Sequence, residues 1–309
     1  MSEITLVAPS EIRRSTDVSE SATDVGAAEP LEHSASRVRY VAGYLRSRPG
    51  LVLSGLWLGT LLVATLAPAL FTAADPLATV GTVRTAPSAE HIFGTDQIGR
   101  DLFTRVIYGA QLSVQAAGVA VAVGLVVGTL VGLLAGYVGG WVDLVLMRIV
   151  DVLLSIPGLL LALAFVVALG FGTVNVAIAV GLTSVATNAR VLRSEVLKVK
   201  NSLFVEAARA GGARPVRVLV RHVLPNSVNP LLTLLALDFS GAILAISSLS
   251  FLGYGAQPPI PEWGSLISGG RDFLASAWWL TTAPGLVIVV TVLAGNRLAR
   301  AFTGEATIR

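Results

Sequence analysis

Residues 106–142 read VIYGAQLSVQAAGVAVAVGLVVGTLVGLLAGYVGGWV, 37 positions without one charged side chain. A helix crosses the hydrocarbon core of a bilayer with about 20 apolar residues, so this run holds a membrane span and more. Uncharged runs of the same kind recur at 49–74, 152–189, 239–261 and 273–296. The longest exceed a single crossing and are cut at turn signals: Gly136-Tyr-Val-Gly-Gly140, Gly170-Phe-Gly172 and the Gly/Pro-rich stretch 253–261. The expected spans lie near 51–71, 112–134, 145–169, 173–190, 227–252 and 276–297. The reading is an all-α membrane protein with about six transmembrane helices.

Composition agrees. Charged residues make up 13% of the 309 positions, against about 25% in a soluble domain. The chain has no cysteine, three histidines and two lysines, which excludes disulfide frameworks, thiolate metal sites and cysteine nucleophiles. No Gly-x-x-x-x-Gly-Lys-Ser/Thr occurs, so no P-loop is present to bind ATP. His33, His91 and His222 are too dispersed to suggest a metal site, no nucleophile–base arrangement stands out, and nothing points to nucleic acid.

Orientation follows from the distribution of Lys and Arg. Eighteen of the 22 fall in the N-terminal segment, the 190–221 loop, the C-terminal segment or at Arg148, and the remaining four are Arg84, Arg100, Arg105 and Arg271. Six spans with both termini in the cytoplasm satisfy that map. Residues 1–36 carry seven acids and lack periodicity, the expectation for a disordered cytoplasmic tail. The 21-residue core 51–71 follows 50 residues of polar chain, which suits a retained anchor better than a cleaved leader. Gly124, Gly128, Gly132 and Gly136 share one helix face and mark a close helix–helix approach, within the chain or against a second subunit.

The loop over 190–225 differs from the rest, with eight basic residues against Glu195 and Glu206. Asn201 and Ser202 are N-cap candidates, Glu206 falls near the first turn where the helix dipole favours a carboxylate, and Gly211-Gly212 suit a left-handed stop. Pro215 opens a second helix, expected to end at Pro225. The product is a short polar helix, a glycine hinge and a helix returning to the membrane.

Glu206-Ala207-Ala208, Gly212, and His222-Val223-Leu224-Pro225 resemble in residue and spacing the EAA signature of ABC importer permeases, with His222 where isoleucine is commoner. Phe93-Gly-Thr-Asp96-Gln-Ile-Gly99-Arg100-Asp101, Asp151–Gly158, Leu249-Ser-Phe-Leu-Gly253 and Gln257–Gly264 are similar to segments of the dipeptide/oligopeptide (DppC/OppC-type) family. The likeness covers roughly residues 40–297, and nickel and glutathione permeases share it. Ile246-Ser247 stands where the family usually has Glu-Ala, and Arg297-Leu-Ala-Arg300 replaces its closing acidic run.

The resemblance implies a type I ABC importer permease fold over 37–309, in the cytoplasmic membrane. The short helix of its 190–225 loop would couple to an ATPase: Glu206 pairing with a basic residue, Ala207 and Ala208 permitting close approach, Gly212 allowing the turn, with Arg209, Leu224 and Pro225 completing the set. Implied partners are two cytoplasmic ATPase subunits carrying ATP and Mg, a related second permease, membrane lipid and an extracytoplasmic substrate-binding protein. The chain itself would bind no cofactor and catalyse nothing. A secondary transporter is the alternative class, although no internal repeat supports it.

Asp238, deep in the fifth span, is a candidate pathway residue because a carboxylate there needs a partner or a wet cavity, and Ser247 is a second. Glu262 and Trp263 are candidates for contact with the binding protein. Asp96, Arg100 and Asp101 read as local ion pairs and a helix cap, Trp278 and Trp279 as interfacial anchors, and Thr187, Asn188 and Asn229 as interfacial polar groups.

Overall fold

A computed structural model of the protein describes residues 48–306. The expected tail over 1–36 lies outside the described residues. The helices in order are α1 (Pro49–Leu66), α2 (Leu102–Val138), α3 (Gly140–Ser155), α4 (Gly158–Leu169), α5 (Thr173–Lys200), α6 (Leu203–Ala210), α7 (Pro215–Val218), α8 (Leu224–Ser227), α9 (Asn229–Phe251), α10 (Trp263–Gly270) and α11 (Trp279–Ala306). The described residues contain no strand, only isolated bridges of Thr79 with Arg100 and of Thr95 with Asp101. Within α1, α2, α5, α9 and α11 lie five segments long and apolar enough to cross a membrane, and α3 with α4, bent by 102° at their break, makes a sixth only when the pair is counted as one span.

That bend departs from the single span expected over 145–169. Pro157 has no N–H to continue the ladder and pushes the residue before it out of the helical region. Ile156 accordingly sits at φ −95°, ψ 132°. Two other helices run past their expected ends. The uncharged run lets α2 continue from 102 to 138, a length of about 55 Å. Helix α5 passes through Arg190 and Arg193 to Lys200, because the first stop signal is Asn201. Both arginines remain tethered, Arg190 to Asp151 and Arg193 to Asp143 on α3.

The glycine stripe of α2 packs within the chain. A Cβ at Gly124 would meet Ser184 Cβ at 2.9 Å, at Gly128 Asn188 Cβ at 2.6 Å, and at Gly136 Val196 Cγ1 at 2.8 Å. The missing side chains thus let the α2 and α5 backbones approach along a continuous seam, the most extensive helix contact in the bundle. In lipid such packing substitutes for the absent hydrophobic drive. The main core joins α1, α2, α4, α5, α9, α10 and α11. A second cluster, at the end of the bundle bearing the basic loop, joins α2, α5, α6, α7 and α9.

Candidate functional site

At the basic end, α6 stands on one buried side chain. Val205 is 0% exposed and packs with Leu192, Val196, Val218 and Val223. Glu206, Ala207 and Arg209 are exposed, as are Leu203 (84%) and Phe204 (48%), while Ala208 is half-buried. No ion pair engages Glu206 among the described residues. Ser202 precedes the helix, but its hydroxyl donates back to Val199 O (2.6 Å) instead of capping α6.

Gly212 adopts φ +79°, a left-handed conformation that favours glycine. The N–H of Ala213 reaches back to Ala208 O at 3.1 Å, so the helix stops where the glycine pair predicts. The following helix does not end at Pro225, as expected. Leu219–Val223 form a π turn, with Leu224 N–H donating to Leu219 O, and the wider turn takes Pro225 into α8. Leu224 is half-buried and Pro225 exposed.

This platform is fastened to the bundle. Tyr137 Oη donates to Pro215 O (2.6 Å), and Lys200 Nζ donates to Tyr137 O (2.6 Å). The end of α2 therefore holds the base of α7 directly, and the end of α5 holds that of α2.

A cleft of about 590 Å³ opens beside the α3–α4 break, lined by Ser155, Pro157, Thr183, Ser184, Thr187 and Asp238. Asn188 Nδ2 donates to Asp238 Oδ2 at 2.8 Å. Asn188 is fully buried, so it is the internal partner of Asp238 and not an interfacial group. Thr187 lines the cleft as well. The sequence held a signal for this pair, since polar residues on α5 and α9 both interrupt apolar runs, but not their register. Ser247 is not brought to the cleft. It lies about 180° from Asp238 around α9, at a separate apolar cleft beside Ile267 and Ile288. Ile246 is packed in the main core, so the departure from Glu-Ala does not alter the charge of the Asp238 cleft.

The opposite end corrects another expectation. Glu262 and Trp263 are each 0% exposed and turn inward, away from any docking protein. Glu262 caps α10, accepting from Gly264 N (3.0 Å) and Ser265 N (2.9 Å), and Ser113 Oγ donates to it at 3.2 Å. Trp263 Nε1 donates to Val106 O at 3.0 Å. Trp279, expected as an interfacial anchor, is also buried and donates to Thr95 O at 3.3 Å, whereas Trp278 is exposed. Asp96 and Arg100 form the expected local pair at 2.6 Å, and Asp101 caps α2 by accepting from Thr104 N at 2.8 Å.

Burial pushes the Glu262 carboxyl above its usual range, against the pull of the Gly264 and Ser265 N–H groups. The folded state therefore favours the protonated form. That stabilisation is complete below the unfolded value of about 4.3 and is lost as pH rises through the folded value. Thermal unfolding of the purified chain should lose stability over that interval relative to Glu262→Gln, which cannot titrate. Parallel pH profiles for the two proteins would refute this.

A family model described as "Binding-protein-dependent transport system inner membrane component" matches residues 128–304. The chain belongs to this family. The match takes in α6, the α3–α4 break and the Asp238 cleft, and the protein is accordingly a multi-pass inner-membrane transporter permease subunit. Among its relatives is the dipeptide transport system permease protein DppC of Alkalihalophilus pseudofirmus, 42% identical over 212 residues, which are 69% of this chain and 70% of the relative. The glutathione transport system permease protein GsiD of Shigella flexneri is 47% identical over 212 residues, 69% of this chain and 70% of the relative. The resemblance to DppC/OppC-type permeases drawn from the motifs is thus confirmed. The permease also shares its fold with a chain of an amino acid ABC transporter crystallised with histidines, at TM-score 0.52 and 16% identity, covering 66% of this chain and 94% of the other.

Proposed function

We propose that the chain is a permease subunit of an ATP-driven importer for di- or oligopeptides. In this reading it forms half of the translocation pathway and receives the ATPase movement through α6. The observation that carries the proposal is α6 itself, a short helix with an exposed Leu203–Phe204–Glu206–Ala207 face that stands on the buried Val205, with the following α7 tied to α2 through Tyr137. An exposed apolar patch with a charge beside it suits a protein partner. The basic end then faces the cytoplasm, as the positive-inside rule requires. Two ATPase subunits hold ATP and Mg, a related permease supplies the other half of the pathway, and a binding protein delivers solute on the opposite side. The identity with a glutathione permease favours glutathione as a second solute for the same machinery.

Asp238 supplies the anionic point of the pathway. Its cleft offers hydroxyls from Ser155, Thr183, Ser184 and Thr187, and the discontinuity between α3 and α4 opens backbone groups at the same level, as broken helices do at transporter midplanes. The cationic side chain of a basic peptide meets the carboxylate there. Asp238→Asn keeps the shape and a hydrogen bond to Asn188 but removes the charge. Uptake of cationic peptides should then weaken about tenfold or more, the worth of a charged hydrogen bond, with assembly preserved. Uptake by reconstituted complexes, compared for neutral and cationic tripeptides, tests this; equal effects on both would dismiss the pathway role. The importer reading is tested by purifying the complex from its own membranes and assaying ATPase with added peptide. An isolated chain without ATPase would overturn it.

A further inference from the structure

The face of α2 turned away from the glycine seam carries a cleft that neither α6 nor Asp238 uses. It encloses about 350 Å³, with Tyr108, Gln111 and Gln115 on the helix and Pro76, Ile260 and Pro261 at the rim. That size falls within the range of about 300–1,000 Å³ for small-molecule sites. Around the helix the three polar side chains lie within about 60° of one another, and Gln115 lies about 180° from Gly124. At that level of α2 the polar groups therefore stand opposite the glycine that meets α5.

Those groups are largely unspent. Gln111 Nε2 donates to Thr65 O at 3.1 Å, which fixes that side chain against α1. Among the described residues no hydrogen bond engages the Tyr108 hydroxyl or the Gln115 amide, and Gln115 is exposed. An amide facing lipid tails without a partner is strongly disfavoured, so this face meets water or a polar occupant. The rim is held from behind. Arg105, 4% exposed, donates through one terminal nitrogen to Pro76 O (3.1 Å) and through the other to Pro259 O (3.3 Å). One buried guanidinium thus ties both rim segments to α2, and the cleft is preformed.

No charged side chain lines it. Gln and Tyr each both donate and accept, which matches the N–H and C=O of a peptide unit and discriminates little by charge. We propose that Tyr108, Gln111 and Gln115 form an entry subsite that holds backbone amides of a peptide solute before it reaches the Asp238 cleft. The proposal rests on the importer reading above, in which solute arrives from the end opposite the basic loop. Charge selection then falls to Asp238, and recognition of the peptide unit to this cleft.

The chain contains no cysteine, so Gln115→Cys gives it a single thiol. The assembled, reconstituted complex is treated with a charged, membrane-impermeant methanethiosulfonate reagent, and modification of this chain is read by mass. The expected result is labelling that slows about tenfold at a trialanine concentration roughly ten times that giving half-maximal ATPase stimulation. A thiol that does not react is covered by lipid or by a second subunit, and the subsite is overturned. In a second measurement, Gln115→Leu and Tyr108→Phe should each raise the trialanine KM by about threefold to tenfold, the equivalent of one hydrogen bond. Peptide-independent ATPase and complex yield should not change, whereas a merely structural role would move both. Wild-type stimulation by trialanine with neither protection nor a KM change overturns the subsite alone. Absence of wild-type stimulation by trialanine removes the peptide-importer reading, and the subsite with it.

Discussion

Glu206→Arg is expected to reduce peptide-stimulated ATPase and uptake to background while leaving a folded, membrane-inserted chain. The contrast follows from where the side chain stands. Glu206 is exposed on α6 and forms no ion pair within the described chain, so its internal contribution is the helix-dipole effect of about 0.3–1 kcal/mol. The anchor of α6 is Val205, buried about 100° around the helix from Glu206, and it is untouched. Across an interface, a close charge pair is worth about 1.5–7 kcal/mol, and reversal replaces attraction with repulsion. The measurement is ATPase and uptake of the reconstituted complex beside the thermal midpoint of the isolated chain. Wild-type stimulation in the variant would sink the coupling role of α6. A midpoint falling together with activity would show instead that Glu206 is needed for folding.

Gly128→Leu is expected to have the largest effect on stability. The seam leaves no room for it, since even a bare Cβ would lie 2.6 Å from Asn188 Cβ. Overpacking of a tight interior costs about 1–3 kcal/mol, and here the strain falls on two backbones. Parting α2 from α5 also disturbs Asn188, and with it the hydrogen bond to Asp238. The variant should be recovered aggregated or with a strongly lowered thermal midpoint in mild detergent. Gly241→Leu on exposed α9 surface, where an added Cβ meets nothing within 4 Å, should purify like wild type. Equal behaviour of the two variants would mean that the seam does not hold the bundle.

Much of this architecture is legible in one dimension because the bilayer imposes a one-dimensional rule. Every backbone group within lipid must be paired inside its own helix, so uncharged length alone locates the spans. Local chemistry also survives translation into structure. Gly212 turns left-handed where α6 stops, and Asp101 caps α2, since each depends on neighbours within a few residues. The EAA-like spacing identifies the family for a similar reason, as a contiguous helix–turn–helix whose register is set locally.

Apart from the break at Pro157, the misplacements come from packing between elements. Glu262 and Trp263 have the chemistry of an outer loop, yet Ser113 and Val106, some 150 positions earlier, draw them inside. Pro225 is a helix terminator by propensity, but packing of Val218 and Val223 under Val205 keeps the chain helical through a π turn. The glycine stripe announces a close partner without naming it, and only the fold shows that the partner is α5. Asp238 is visible as a costly carboxylate in an apolar run, while its register against Asn188 depends on that same seam. The sequence by itself therefore determined the helices, their approximate limits and the family, because these follow from local pairing and hydropathy. Tertiary structure alone decided which polar groups face inward, which line a cleft and which face a partner, because those depend on how helices distant in sequence are rotated against one another.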